Sequence, residues 1–341
     1  MHALVAVAVA VRAVAAAVGA VAAAAVGVRG GLTMRSGDLQ VRSKVATCVA
    51  SFAAALVLLI AWAPAAQAQK AFPSPEEAMN AFGDAVATSD EDALKALLGA
   101  DFHTFIPPAG AEVRYRFLAA WAKSHTVKTE GDAKALIAVG NDGWTMPIPI
   151  VKTPQGWRFD VRAGADEMRV RRIGRNENAV IQVMLAIFDA QKEYATKDRN
   201  GDGVLQYAAK FVSSPGKKDG LYWPAKPGEE LSPLGPAVAA ARAAHKSGEE
   251  GYYGYRYKLL TSQGKNAPGG AFDYVAHGRM IGGFAAVAWP VKYGDTGVMT
   301  FIVSYDGVVY EKDLGPETAA GASAMTRFDP DSTWHKVEPG T

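Results

Sequence analysis

RVRRIGRNENAVIQVMLAIFDAQKEYATKDRNGDG, residues 169–203, is the stretch on which the reading of the fold turns. Ile181, Met184, Leu185 and Phe188 recur at i, i+3, i+4 and i+7, the spacing that puts side chains on one helix face. Val180, Val183 and Ile187 widen that face, so most of the helix should be buried. Arg169, Arg171, Arg172 and Arg175 would oppose the helix dipole if the helix began with them. The start is therefore expected earlier, near Gly164-Ala165-Asp166-Glu167. Asn200-Gly201-Asp202-Gly203 tolerate positive φ, so the helix should stop by about Asp198.

Upstream, residues 1–68 read as a leader. Residues 1–33 are almost entirely Ala, Val and Gly, and Met34 follows as the expected true start. A basic segment (Arg35, Arg42, Lys44), an apolar run from Val45 to Trp62 and the triplet Ala66-Gln67-Ala68 make the three-part pattern of a secretory signal. The competing reading is a membrane anchor, because the apolar run is nearly long enough to span a bilayer; the cleavage triplet favours the signal. Cys48, the one cysteine, precedes the apolar run, which argues against a lipoprotein anchor.

The whole chain carries 36 Lys+Arg against 34 Asp+Glu. The leader holds five of the basic residues and one Asp, so the remainder is slightly acidic, 31 against 33. That balance gives no footprint for nucleic acid, which needs clustered positive charge. Without cysteine the mature part has no disulfide, thiol nucleophile or thiolate metal site. Its length suits two domains with real cores.

Residues 69–163 read as a small α+β unit. Ser74 is an N-cap, Pro75 stands at the first helical position and Glu76 and Glu77 fill the first turn. Ser89-Asp90-Glu91-Asp92 opens a second helix carrying Leu94, Leu97 and Leu98 and closed by Gly99. A third helix is expected over residues 111–124. Strands follow at 133–139, 144–151 and 157–161, separated by Asn141-Asp142-Gly143 and Pro154-Gln155-Gly156 turns. Pro147 and Pro149 should make the middle segment an edge or bulged strand. Helices followed by a curved sheet resemble the cone of nuclear-transport-factor-2-like proteins, a fold that hosts both enzymes and empty scaffolds.

Residues 164–341 read as a long helix packed on an antiparallel sheet, again α+β. Strands are expected at 253–261, 271–276, 283–290, 298–304 and 308–311, with Tyr305-Asp306-Gly307 turning between the last two. A short alanine-rich helix is expected at 236–246 within the loop-rich stretch that precedes them.

The runs RRIGRNENAVIQV, YATKDRNGDGVLQYA, SSPGKKDGLYWP, APGGAFDYV, GRMIGGFAAVAWPVKYGDTGVMTFIV and DGVVYEKDLGPETA resemble the bacterial family catalogued as domain of unknown function 2950, over essentially the whole mature chain. The resemblance implies an exported protein of a Gram-negative bacterium, periplasmic or secreted, and no particular activity. The C-terminal half also resembles the soluble part of type IV pilins and pseudopilins, with Gly294, Gly297, Phe301 and Asp306–Tyr310 standing in their sheet motifs. It departs from them in lacking the apolar membrane-spanning half of the helix and the prepilin cleavage site, so incorporation into a filament by the usual route is not expected; nor is a stable transmembrane anchor expected after signal cleavage.

Candidate chemistry is sparse. Asp198, Asn200, Asp202 and Gly203 fall on positions 1, 3, 5 and 6 of a calcium loop, where oxygens from alternate residues converge and glycine permits the turn. Val204 could add a carbonyl and Gln206 a further oxygen, but Ala209 stands where the bidentate Glu belongs. Asp198, Asn200, Asp202 and Gln206 are thus the candidate Ca²⁺ ligands, with a plain helix-terminating turn as the alternative. His103, His125, His245, His277 and His335 show no paired metal spacing, and no nucleophile elbow, P-loop or dinucleotide fingerprint occurs. Ser213-Ser214 beside Lys217-Lys218 suggests a serine–lysine pair, but Pro215-Gly216 between them reads as a turn. Tyr222, Trp223, Tyr253, Tyr255 and Tyr257 could form a contact surface for a peptide or glycan, since Tyr253, Tyr255 and Tyr257 alternate onto one strand face; buried, they would be core.

Three functions fit these residues. One is a non-catalytic envelope protein that binds a partner protein, peptide or glycan. Another is a hydrolase using a cavity in the first unit, with His103 or His125 as base near Asp101 and Trp121. The last is an accessory of pili or secretion systems.

Overall fold

The computed structural model describes residues 69–106, 108–236 and 251–338. From Gln67 onward the chain forms one compact unit. It begins with helix α1, Pro75–Thr88, whose N-cap Ser74 accepts the Glu77 N–H on its hydroxyl, with Pro75 in the first turn. Helix α2, Glu91–Leu98, is capped by the Asp90 carboxylate and ends at Gly99, whose φ of 99° no β-carbon favours. Helix α3, Ala111–Lys123, follows. Gly83 on α1 lets α3 approach: a β-carbon there would lie 2.5 Å from Cζ2 of Trp121.

The chain then forms a four-stranded antiparallel meander of β1 His125–Glu130, β2 Lys134–Val139, β3 Ile150–Thr153 and β4 Gly156–Phe159. Strand β1 was not expected from sequence, and its side chains are exposed apart from half-buried Val127. Between residues 144 and 149 the ladder breaks: one bridge joins Ala138 to Thr145, and β3 begins only after Pro149. The prolines thus shorten the middle segment instead of moving it to the edge, because β3 pairs with β2 on one side and β4 on the other. Phe82, Phe102, Ile137, Ile150 and Phe159 fill the core between helices and sheet.

Helix α4 spans Val161–Tyr194, 34 residues, or about 51 Å at about 1.5 Å per residue. Asp160 caps it through the Ala163 N–H. The start lies eight residues before Arg169, so the four arginines sit beyond the first turn and escape the dipole penalty. Gly164 presses the helix onto the first sheet, since a β-carbon there would lie 2.8 Å from Cγ1 of Ile148. Further along, Val180, Val183, Met184 and Ile187 are buried against the second sheet.

That sheet is an antiparallel meander of five strands, each hydrogen-bonded to the next in chain order. Its strands are β5 Tyr255–Leu260, β10 Ala285–Pro290, β11 Met299–Ser304, β12 Val309–Asp313 and β14 His335–Lys336. Alternation sends Tyr255, Tyr257, Ala288, Phe301 and Val303 toward α4, and Leu260, Val287, Trp289, Ile302 and Tyr310 to the other face. Helix α5, Thr318–Ala324, covers that second face with Ala322. Gly307, at φ 77°, makes the expected turn between β11 and β12. Short pairings at Ser262–Gln263, Phe272–Asp273, Val275–Ala276, Arg279–Met280 and Arg327–Phe328 (β6, β7, β8, β9 and β13) complete the α+β architecture. The helix expected at 236–246 lies almost wholly outside the described residues. Among the described residues no helix is long and apolar enough to cross a membrane.

Candidate functional site

The loop that ends α4 gathers the four residues expected to ligate calcium, around Asp202. Asp198 turns its carboxylate back onto the loop: Oδ1 accepts the N–H groups of Gly201 (2.8 Å) and Asp202 (3.2 Å), and Oδ2 that of Gly203 (2.8 Å). Gly201 and Gly203, at φ 74° and 83°, make the turn possible. Asp202 Oδ2 accepts Nε of Arg279 at 2.8 Å, the amide of Asn200 at 3.1 Å and that of Gln206 at 3.4 Å. Burial pushes the Asp202 carboxyl up, but the Arg279 and Asn200 hydrogen bonds outweigh it and hold it below the usual range.

This donor set fits a calcium loop in part. Oxygens stand at alternate positions and the Asp198 turn is formed, but a guanidinium already neutralises Asp202. Ala209 offers nothing at the twelfth position. Among the described residues no group of three or more His, Cys, Asp or Glu converges as a metal cluster.

Beside this loop lies a cluster that sequence reading missed. The Arg199 side chain is 2% exposed and donates through Nη1 to Glu230 at 2.8 Å. Its other nitrogens donate to the carbonyls of Tyr194 (3.1 Å) and Glu193 (3.2 Å) at the end of α4, a favourable place for a cation. The guanidinium lies 5.4 Å from each of the Tyr194 and Trp223 rings. Lys197 (2.8 Å) and Lys218 (3.0 Å) reach the same Glu230 carboxylate. Hydrogen bonds from Lys197, Lys218 and Arg199 hold Glu230 down at about 2.

Ser214 does meet a lysine, but it is Lys210 and not Lys217 or Lys218. Lys210 Nζ donates to Ser214 Oγ at 2.9 Å and to Asp219 Oδ2 at 2.7 Å, and the Ser214 hydroxyl donates to the same Asp219 oxygen at 3.0 Å. Burial raises Asp219, but the Lys210 and Ser214 bonds overcome this and bring it down to about 2. Lys210 and the Ser214 hydroxyl both donate to the Asp219 carboxylate, so the serine proton is directed to the aspartate and not to the lysine. The cluster fastens the loop 213–220.

The model of the family described as a protein of unknown function, DUF2950, matches residues 69–337. The chain belongs to the DUF2950 family. No curated protein and no solved structure matches it.

In this DUF2950 chain the run RVRRIGRNE, residues 169–177, has a specific task. Arg169 Nη1 donates to the Gly294 carbonyl at 3.3 Å, Arg172 pairs with Asp295, and Asn176 donates to the Thr296 carbonyl at 2.8 Å. Glu177 Oε1 accepts the N–H groups of Val298 (2.8 Å) and Met299 (2.9 Å) and lies 3.3 Å from the Tyr255 hydroxyl. Arg171 faces the other way, donating to the Thr145 carbonyl at 2.7 Å while held by Glu167. One helix thereby grips the first unit through Arg171 and the loop 294–299 through the other four residues. Burial and the Glu177 charge push the Tyr255 hydroxyl far up, so it stays neutral in this clasp.

The expected aromatic surface is mostly core. Tyr255 and Tyr257 are 0% and 1% exposed and face α4, and Trp223 is 5% exposed. Tyr222 is half-buried. Only Tyr253 of the alternating three is exposed, because the strand starts at Tyr255: Tyr253 and Gly254, at φ 50° and 71°, form the turn before it. The two histidines proposed as bases sit on the outside of the first unit. His103 pairs with Glu91 at 2.7 Å, and His125 stacks on Trp121 with ring centroids 4.5 Å apart. Phe82, Phe117, Phe159 and Trp121 pack against one another in the interior between the helices and the first sheet. A pocket of about 220 Å³ lies between α1 and α2, with Asp84, Ala85, Asp90 and Leu97 in its wall and neither histidine.

Proposed function

We propose that this protein is a non-catalytic binding or scaffold module of the Gram-negative cell envelope, exported through its leader. The observation that carries the reading is the clasp. The polar side chains of α4 in the family-like run hold the backbone at Gly294, Thr296, Val298 and Met299, where catalysis would need them turned toward a substrate. The filled interior of the first unit supports the same reading over the hydrolase.

The test is expression of the full chain with a C-terminal tag in a Gram-negative host, followed by fractionation, intact-mass measurement and cross-linking. The reading expects a periplasmic or secreted product beginning at Gln69, cross-linked to an envelope component. A cytoplasmic product with an uncleaved leader contradicts it. Cross-linking to a filament or secretion subunit selects the accessory role.

A further inference from the structure

We propose that Lys197, Arg199 and Lys218 form a binding site for a tetrahedral dianion, a phosphate or sulfate group, which the Glu230 carboxylate fills as an internal substitute. The inference does not depend on the envelope reading.

Three cations converge on the two oxygens of one carboxylate: Lys197 and Arg199 on Oε1 at 2.8 Å each, Lys218 on Oε2 at 3.0 Å. Three positive charges against one negative leave an excess that a dianion matches better than a carboxylate. The donors approach both oxygens of the carboxylate, two on Oε1 and one on Oε2, and a tetrahedral group offers further oxygens to divide among them. Arg199 is fixed in advance. Its side chain is 2% exposed, two of its nitrogens are tied to the end of α4, and Tyr194 and Trp223 flank its plane. A buried guanidinium so held is the usual anchor for a phosphate.

The neighbouring carboxylates are bonded elsewhere. Asp198 is engaged by the N–H groups of its own loop, and Asp219 by Lys210 and Ser214. The occupant, by contrast, sits on an exposed loop: residues 226–231 are all exposed, Leu231 by 75%. Apart from the Glu230 carboxylate, that loop is held by its own Lys226–Glu229 contacts and by the Trp223 indole on the Glu230 carbonyl. Lys197 and Lys218 are 64% and 40% exposed, so an incoming dianion can reach two of the three cations before Glu230 leaves.

Titration calorimetry of inorganic phosphate into the full chain, at constant ionic strength, tests the site in wild type, Glu230→Gln and Glu230→Gln/Lys197→Met/Lys218→Met. Removing the internal competitor should tighten phosphate binding about tenfold, as for an acceptor freed about one-tenth of the time; the triple variant should lose it. Melting curves check that each variant folds, and both lysines are exposed enough for their loss to leave the fold intact. Vesicles of phosphatidylcholine with and without phosphatidate, in a parallel sedimentation assay, tell a lipid-borne phosphate from a free one. Binding in either arm that tightens in Glu230→Gln and fails in the triple variant supports the site. Phosphate affinity unchanged by Glu230→Gln, or retained without the lysines, or matched by chloride, overturns it.

Discussion

Removing the Glu177 carboxylate should loosen the long helix from the second sheet. Its Oε1 accepts two backbone N–H groups, those of Val298 at 2.8 Å and Met299 at 2.9 Å, in a half-buried place beside the Tyr255 hydroxyl. Tyr255 has a second acceptor, the Met299 carbonyl at 2.9 Å, so its proton is not stranded. The cost in Glu177→Ala therefore comes from the two N–H groups. Each buried donor left unpaired costs about 1–3 kcal/mol, and partial access of water lowers the sum to about 2–4 kcal/mol. For a chain of this size that lowers Tm by roughly 5–10 °C. Glu177→Gln keeps an acceptor oxygen and loses only the charge assistance, about 1 kcal/mol. Urea midpoints and thermal melts of the three proteins decide the matter. The reasoning fails if Glu177→Ala costs under about 0.5 kcal/mol, or if Glu177→Gln is as damaging as alanine.

Gly83→Ala should destabilise by about 1–3 kcal/mol, measured by urea midpoint, because the new methyl meets the Trp121 ring; a neutral result means α3 is not seated there. Acid should act through Asp219 and Glu230, both near 2 in the folded state against ordinary values of 3.8 and 4.5. Their stabilisation is complete above about pH 4.5 and disappears as pH falls toward about 2. Melts of Asp219→Asn should therefore show a shallower acid slope than wild type in that window. Glu311, raised by burial and by the Glu177 charge, works in the opposite sense. Arg279→Met removes the internal cation from Asp202, so millimolar calcium should raise its Tm more than that of wild type; equal responses mean the loop is only a turn.

Much of this architecture is legible in the sequence where local chemistry decides it. Ser74-Pro75 and Asp90 cap two helices, and Gly99 ends one, each by interactions within a few residues. The face of α4 follows from its 3.6-residue period. What was missed depends on distant partners. Strand β1, HTVKTE, has no buried alternation to reveal it, since pairing with β2 alone makes it a strand. Tyr253 belongs by pattern with Tyr255 and Tyr257, yet a turn at Gly254 removes it. The arginines of α4 read as a misplaced charge run until Thr145, Gly294 and Asp295 supply their partners, the last two more than 120 residues away. Arg199 gave no local signal at all; Glu230, 31 residues on, defines its role.

Helix α4 joins both sheets through Arg171 on one side and the clasp at 294–299 on the other, so the two should unfold as one cooperative body. Scanning calorimetry of the full chain, with wild type beside Arg172→Ala/Glu177→Ala, tests it most directly. One transition is expected for wild type, with calorimetric and van't Hoff enthalpies in agreement, and a lower or split transition for the variant. Two separate wild-type transitions, or a variant that melts like wild type, would contradict it.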